Sequence, residues 1–265
     1  MIFQDNVIKE YLKNVYFVTG TPCGGKTTIS RELAKRHNLL VYDIDEQFAN
    51  HKKISNAAFQ PVMNKNFKNA DEFFGRTVEE YRKWLIDSTR EQLDFVLLDL
   101  IRLSQNQIVL CDCHLTMEEA GKFTEPSRIV FLIKEPSNIV DDYCNRPDHQ
   151  DFSHFINGAS DTEKAKAVCN ETLRSLNEKR YNDIKNSGYY WIERTPQSTV
   201  SETVRKVEQH FGFAPANEYA KENGFDKTYI PSEHVGLYEK YGYHYLKDIT
   251  NYGNGTDRLY VKEIR

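Results

Sequence analysis

The sequence has no large excess of charge, few cysteines and no long hydrophobic run. Its formal net charge is -4 over 265 residues, so it offers no broad positive field to attract nucleic-acid phosphates, and a small-molecule partner fits better. No apolar run reaches the ~18 residues that a bilayer-spanning helix needs, and the segment from Met1 to Asn14 lacks the apolar stretch of a signal peptide. We therefore expect a cytoplasmic protein without nucleic-acid or membrane partners.

The cysteines are too few and the chain is too long for a disulfide scaffold. The five cysteines are an odd number, and a chain of this length can bury a core without covalent staples, so we expect reduced thiols. Apolar residues make up 39% of the sequence and charged residues 28%, which is typical of a globular protein. The length allows a full core domain and an appendage.

Short apolar runs alternate with helical stretches over residues 1–212. The runs are rich in β-branched and aromatic residues, as buried parallel strands are. Strands that alternate with helices predict an α/β fold, a five-stranded parallel sheet sandwiched by helices. The predicted strands are Val15 to Thr19, Leu39 to Asp43, Ile108 to Asp112, Ile129 to Ile133 and Tyr189 to Ile192, and the clearest helices are Val78 to Leu103, Thr162 to Lys185 and Val200 to Phe211.

Residues 213–265 differ in character from the rest of the chain. Pro215 lies in a predicted linker, and tyrosines are crowded beyond it. The segments Tyr243 to Ile249 and Asp257 to Ile264 flank a turn rich in glycine and asparagine, which predicts a β-hairpin. We expect a small α+β module here, and a homodimer formed through it.

The strongest motif is a glycine-rich loop that follows the first predicted strand. It has the spacing G-x-x-x-x-G-K-[ST] of a P-loop and is followed by a helical segment. The glycines let backbone N–H groups face phosphates, Lys26 reaches the β- and γ-phosphates, and the Thr27 hydroxyl ligates Mg²⁺. The pattern predicts ATP and Mg²⁺ as ligands. The nucleotide-binding residues are Gly20, Thr21, Pro22, Cys23, Gly24, Gly25, Lys26, Thr27 and Thr28.

Carboxylates end two of the predicted strands. Asp43 and Asp45 close the second, where open α/β sheets bind ligands, and strand alternation puts both on one side. One could hold Mg²⁺ while the other accepts a proton from an acceptor hydroxyl; alternatively, Asp45 is an ordinary acidic residue at a helix start. Asp112 ends the third strand, either as a metal ligand or as a helix cap.

The residues from Lys9 to Phe211 resemble the shikimate kinase and nucleoside monophosphate kinase group. The resemblance is carried by Phe17 to Ser30 and by the D-x-D-x-x-F stretch Asp43 to Phe48. It implies a P-loop NTPase fold and an ATP-dependent kinase in which Asp43 and Asp45 serve Mg²⁺ and the acceptor hydroxyl. It also implies a mobile lid whose arginine would be Arg146, before Pro147. Lys26, Asp45 and Arg146 are then the catalytic residues.

The chain departs from that group where the acceptor would bind. Shikimate kinases have a glycine triplet after the third strand, and this chain has Asp112-Cys113-His114-Leu115. Two pairs of arginines are candidates for ligand contacts, although each could equally be an ordinary surface residue. Arg76 and Arg82 are candidates for an anionic acceptor, and Arg174 and Arg180 for ATP.

The segment from Gly224 to Ile264 resembles the last part of the GNAT acetyltransferase fold. Glu233 to Tyr243 carry the resemblance, which nominates Tyr238 as the residue that protonates a leaving thiolate. The glycine loop that holds the acetyl-CoA pyrophosphate in that family is missing. A structural or dimerising role for this segment is therefore expected.

Several functions remain open beside a kinase that acts on a hydroxyl or phosphate of a small molecule. A nucleoside or nucleotide kinase would use base-stacking aromatics. A protein whose partner binding is controlled by ATP would need no acceptor base, and a bifunctional kinase and acetyltransferase would need to bind acetyl-CoA. The candidate stacking residues are Phe59, Phe67, Phe73 and Phe74, which could equally belong to the core.

Overall fold

A computed structural model describes residues 4–138, 150–213, 224–232, 238–239, 242–250 and 255–263. The chain divides into two compact units, Met1–Phe211 and Gly212–Arg265. In the part of the chain that is described, no helix is long and apolar enough to cross a bilayer.

The first unit is built on a five-stranded parallel sheet with the order β2-β3-β1-β4-β5. The predicted strands are confirmed, with ends that shift by one or two residues. Every residue of β3 and β4 is buried, as expected for strands covered on both faces. The strands are β1 Val15–Gly20, β2 Leu40–Asp43, β3 Val109–Asp112, β4 Ile129–Ile133 and β5 Trp191–Glu193.

Helices connect these strands, and the three predicted long helices have the predicted bounds. Capping boxes begin three of the described helices, where a threonine and a glutamate satisfy free N–H groups reciprocally. The pairs are Thr77 with Glu80, Thr116 with Glu119 and Thr199 with Glu202. The helices are α1 Asp5–Tyr11, α2 Lys26–His37, α3 Ile44–Ile54, α4 Ala70–Phe74, α5 Val78–Leu103, α6 Met117–Phe123, α7 Gln150–Asn157, α8 Thr162–Lys185 and α9 Val200–Phe211.

Among its described residues the unit has two hydrophobic clusters. The larger one lies against the sheet, where Phe17 and Phe131 are almost fully buried. The smaller one is rich in aromatics and joins α4, α5, α7 and α8 through Phe74, Tyr81 and Ile156. Burial of these rings ties the segment between β2 and β3 to the helices that follow β4.

The second unit contains a three-stranded antiparallel sheet with the order β6-β8-β7. Its strands are β6 Lys227–Ser232, β7 His244–Thr250 and β8 Thr256–Glu263. The pairing of β7 with β8 confirms the predicted hairpin. Tyr260 is fully buried, and the Thr228 hydroxyl donates a hydrogen bond of 3.1 Å to the hydroxyl of Tyr243.

Candidate functional site

The glycine-rich loop lies against the end of β4, and this contact explains its glycines. The Thr21 N–H donates to the carbonyl of Leu132, 3.1 Å away. A Cβ on Gly20 would lie 1.9 Å from that oxygen and one on Gly24 2.4 Å from it, so side chains at these two positions would clash with the backbone. The Lys134 N–H also donates to the Thr21 hydroxyl at 2.8 Å. The loop is thus held tightly by backbone contacts.

Lys26 is the first residue of α2 and is only 8% exposed. Its ammonium donates to the carbonyl of Thr21 in the loop, 3.3 Å away. Burial lowers the pKa of Lys26 from its ordinary value, and the nearby carboxylate of Asp112 opposes that shift. Gly25 precedes the helix with a φ of 83°, a value that favours glycine. The predicted loop residues Pro22 and Cys23, and Thr28 in the first turn of α2, complete this segment.

Asp43 and Asp112 end neighbouring strands and face each other in register. The Thr27 hydroxyl donates a hydrogen bond of 2.7 Å to the carboxylate of Asp112. Burial, followed by repulsion from Asp112 and Asp45, raises the pKa of Asp43 to about 6. Burial also raises the pKa of Asp112, against the opposing effects of Lys26 and Thr27. These shifts show carboxylates crowded together at one end of the sheet.

This crowding fits a divalent cation. Thr27, Asp43 and Asp112 offer hard oxygen atoms, the ligands that Mg²⁺ prefers, and a cation would relieve the repulsion between the carboxylates. The described residues include no group of three or more His, Cys, Asp or Glu side chains that would hold a metal unaided. Mg²⁺ does not require such a group, because it is commonly bound by one or two carboxylates together with phosphates and water.

The position of Asp45 corrects one step of the sequence argument. The β2 strand ends at Asp43, whose carboxylate caps α3 by accepting a 3.0 Å bond from the Asp45 N–H. Asp45 therefore lies in the first turn of a helix with Glu46, and strand alternation does not relate it to Asp43. Its side chain is 78% exposed and approaches His114, with 3.5 Å between the Oδ2 and Nε2 atoms. Asp45 still lies near the P-loop, since its charge affects the pKa of Lys26.

The candidate arginines differ in where they lie. Arg82 and Arg174 form ion pairs within their own helices, with Glu79 and Glu171. Arg76 is enclosed by the rings of Phe67, Phe73, Tyr81 and Trp84, with its carbon Cζ 4.3 to 5.0 Å from their centroids. That position indicates cation–π packing within the smaller cluster. Arg146 lies outside the described residues.

Arg180 and Arg194 both reach the end of the sheet. Arg180 is half-buried and donates to the carbonyl of Leu115 at 2.8 Å and to the Thr19 hydroxyl at 3.4 Å. Arg194 follows β5, and its Nη1 atom lies 3.6 Å from where a Cβ on Gly25 would be. Two buried Arg194 nitrogens, Nε and Nη1, have no hydrogen-bond partner within the described residues. The sequence analysis did not identify Arg194, because only the tertiary fold brings the end of β5 beside the loop.

The architecture is decided by three features: the strand order, the parallel pairing and the lysine-bearing loop between β1 and α2. The chain has the P-loop NTPase fold. A family model described as an AAA domain matches residues 17–146, just under half of the chain. A search of the curated proteins gives no significant match.

Solved structures of kinases overlap this P-loop NTPase chain loosely. A shikimate kinase from Acinetobacter baumannii, in complex with shikimate, is 16% identical, with a TM-score of 0.43 and coverage of 74% of this chain and 90% of that chain. A putative kinase from Chloroflexus aurantiacus is 17% identical, with a TM-score of 0.40 and coverage of 74% of this chain and 97% of that chain. A shikimate kinase from Bacteroides thetaiotaomicron is 16% identical, with a TM-score of 0.39 and coverage of 74% of this chain and 96% of that chain. The family match ends at residue 146, before the GNAT-like segment, which stays a prediction.

Proposed function

We propose that the chain is an ATP-dependent kinase that transfers the γ-phosphoryl group to a hydroxyl or phosphate of a small molecule. The observation that carries the proposal is the hydrogen bond of 2.7 Å between Thr27 and Asp112 beside the buried Lys26. A hydroxyl, a carboxylate and an ammonium group held at a P-loop are the parts that phosphoryl transfer requires.

The protein groups would act mainly by positioning and by neutralising charge. Loop N–H groups and the N-terminus of α2 would hold the phosphates, and Lys26 would stabilise the charge that develops on the γ-phosphoryl group. Thr27, Asp43 and Asp112 would hold Mg²⁺, which neutralises phosphate charge when it is bound. Arg194 would contribute a further cation beside Gly25. In the proposed kinase the lid arginine is Arg146.

Asp45 would orient the acceptor hydroxyl and take its proton. The side chain is exposed, so an acceptor can reach it, and its charge acts on Lys26. A carboxylate in this role must be within hydrogen-bond reach of the hydroxyl.

The proposed acceptor is a small molecule whose class we do not assign. Of the four aromatics that a nucleotide acceptor would use, Phe67, Phe73 and Phe74 pack within the smaller cluster, and Phe59 is 79% exposed. We propose residues 1–212 as the kinase domain and residues 213–265 as a module that supports a homodimer.

A screen for acceptors tests the proposal. The purified full chain is mixed with MgATP and pools of metabolites and antibiotics, and ADP release is recorded for each pool. We expect at least one pool to stimulate ADP release well above the rate with water alone. If no pool does so, the protein is better described as an ATPase or an ATP-controlled binding protein.

A further inference from the structure

His114 stands where the chain departs from the shikimate kinases, in the second position after β3. Its Nε2 atom lies 3.5 Å from Oδ2 of Asp45, although 69 residues separate the two in the chain. This contact is at the long end of the hydrogen-bond range, as is common for catalytic groups that tighten around a substrate.

The backbone around His114 is fixed on both sides. The Cys113 N–H donates to the carbonyl of Val18 at 3.1 Å, and the Leu115 N–H donates to the Thr19 hydroxyl at 3.1 Å. The carbonyl of Leu115 accepts a bond of 2.8 Å from Arg180. Cys113 and Leu115 are each only 1% exposed, so the imidazole is attached to a rigid part of the sheet edge.

Asp45 is much more exposed than His114. Its side chain is 78% exposed, against 25% for that of His114, and it projects from the first turn of α3. A solvated carboxylate loses rotamer freedom when it must hold one catalytic geometry. A fixed partner that already restrains the carboxylate reduces that loss when the acceptor binds.

We propose that His114 is a positioning residue that holds the carboxylate of Asp45 toward the P-loop. The inference rests on the proposed kinase function and on the role of Asp45 as the base. It assigns to the imidazole the task of orienting Asp45, without contact with the nucleotide. His114 is the second residue after Asp112, so its imidazole is attached at the strand end that carries Asp43 and Asp112.

The test uses water as the phosphoryl acceptor, so that it does not depend on the identity of the small molecule. The bond between the γ-phosphorus and the β,γ-bridging oxygen breaks, and a water oxygen bonds to the phosphorus. The water proton passes to Asp45 and then to solvent, and ADP leaves. Steady-state ADP release from MgATP is measured for the full chain and for each variant, with circular dichroism as the check on folding.

We expect His114→Ala to lower kcat about tenfold and to leave the KM for ATP unchanged, because only the orientation of the base is lost. His114→Gln, which can still donate to the carboxylate, should retain most of the wild-type kcat. His154→Ala is the matched control, because His154 is an exposed histidine of α7. In an Asp45→Asn background, adding His114→Ala should change kcat less than twofold, since coupled residues are not additive.

The opposite results overturn the inference. One is a full additional loss of kcat when His114→Ala is added to the Asp45→Asn background. Another is a His114→Ala variant with a raised KM for ATP and a normal kcat. The third is a His114→Gln variant as slow as His114→Ala. Unchanged turnover in Asp45→Asn, with Lys26→Ala inactive, also overturns it but leaves the kinase proposal standing. If Lys26→Ala is as active as the wild type, or the wild type releases no ADP with water or with any acceptor pool of the screen, both proposals fail.

Discussion

Thr27 and Asp112 are 85 residues apart in the chain, and the hydroxyl of one donates a hydrogen bond of 2.7 Å to the carboxylate of the other. The contact joins the start of α2 to the end of β3. It holds two hard oxygen donors beside Lys26, whose pKa responds to the same carboxylate. A Mg²⁺ ion bound by this pair would be held by one residue from a helix start and one from a strand end.

Replacing Asp112 by Asn tests this part of the account. The amide keeps the size of the side chain but loses the charge that attracts the cation. The Mg²⁺ concentration required for half-maximal ADP release should rise about tenfold. Asp183→Asn, which alters an exposed carboxylate paired with Lys179, should not change the Mg²⁺ requirement. An Asp112→Asn variant with a normal requirement would exclude Asp112 as a ligand.

Asp43 should make the stability of the protein depend on pH. Its pKa is about 6 in the folded chain, against an ordinary value of 3.8, so the folded state binds the proton more tightly. Stability that this carboxyl group supplies below about pH 4 is lost as the pH rises toward 6. The ionised group is therefore destabilising at neutral pH.

Asp43→Asn removes that cost and can still cap α3. Because the carboxyl group is only partly shielded from solvent, we expect a gain of about 1 kcal/mol, or roughly 2–4 °C in Tm, at about pH 7.5 in EDTA. The gain should vanish at about pH 4. Thermal unfolding at both values is the measurement, and an equal gain at both would contradict the assigned cause.

Arg194 should contribute to nucleotide binding. Its guanidinium lies beside Gly25, and two buried nitrogens lack partners in the described residues, so a phosphate oxygen would supply a charge-assisted acceptor. Arg194→Ala should weaken MgATP binding about tenfold, ~1.4 kcal/mol, in calorimetric titrations. Arg174→Ala, which removes an arginine paired with Glu171, serves as the control. Equal affinities of the Arg194→Ala and Arg174→Ala variants for MgATP would show that Arg194 does not contact the nucleotide.

Deleting residues 213–265 tests the role of the C-terminal module. Every described residue that we assign to the nucleotide site lies within the unit Met1–Phe211, so the shortened chain should bind MgATP with a Kd within about threefold of the full chain. The full chain should show no saturable binding of acetyl-CoA. Tight acetyl-CoA binding that is lost in Tyr238→Phe would instead favour the bifunctional kinase and acetyltransferase.

Local sequence patterns predicted the central strands of the parallel sheet well because β1, β3 and β4 are buried apolar runs. The bounds of α5 and α8 were predicted to the residue. The end of β2 at Asp43 was also predicted, but the alternating stretch Asp43 to Asp45 has the period of a strand, so strand alternation wrongly placed Asp45 on the same side as Asp43. In the structure the backbone turns there, since the carboxylate of Asp43 caps α3.

The site was only partly predictable for a different reason. The P-loop is contiguous, so spacing alone identifies it, whereas Arg180 and Arg194 depend on where α8 and β5 pass. Nothing in the local sequence separates the half-buried Arg180 from Arg174, six residues earlier on the same helix, which pairs with a glutamate at the surface. The contact between Asp45 and His114 likewise depends on the start of α3 and the segment after β3, which meet only in the folded chain.

The most direct measurement is ADP release from MgATP by the full chain and by Lys26→Ala, with an acceptor found in the screen. Lys26 supplies the charge that stabilises the transferring phosphoryl group, so the account predicts that the folded variant loses activity by about a factor of 10³. Lys122→Ala, an exposed lysine paired with Glu118, should behave as the wild type. Near-normal turnover in a correctly folded Lys26→Ala variant would contradict the assignment of the ATP site.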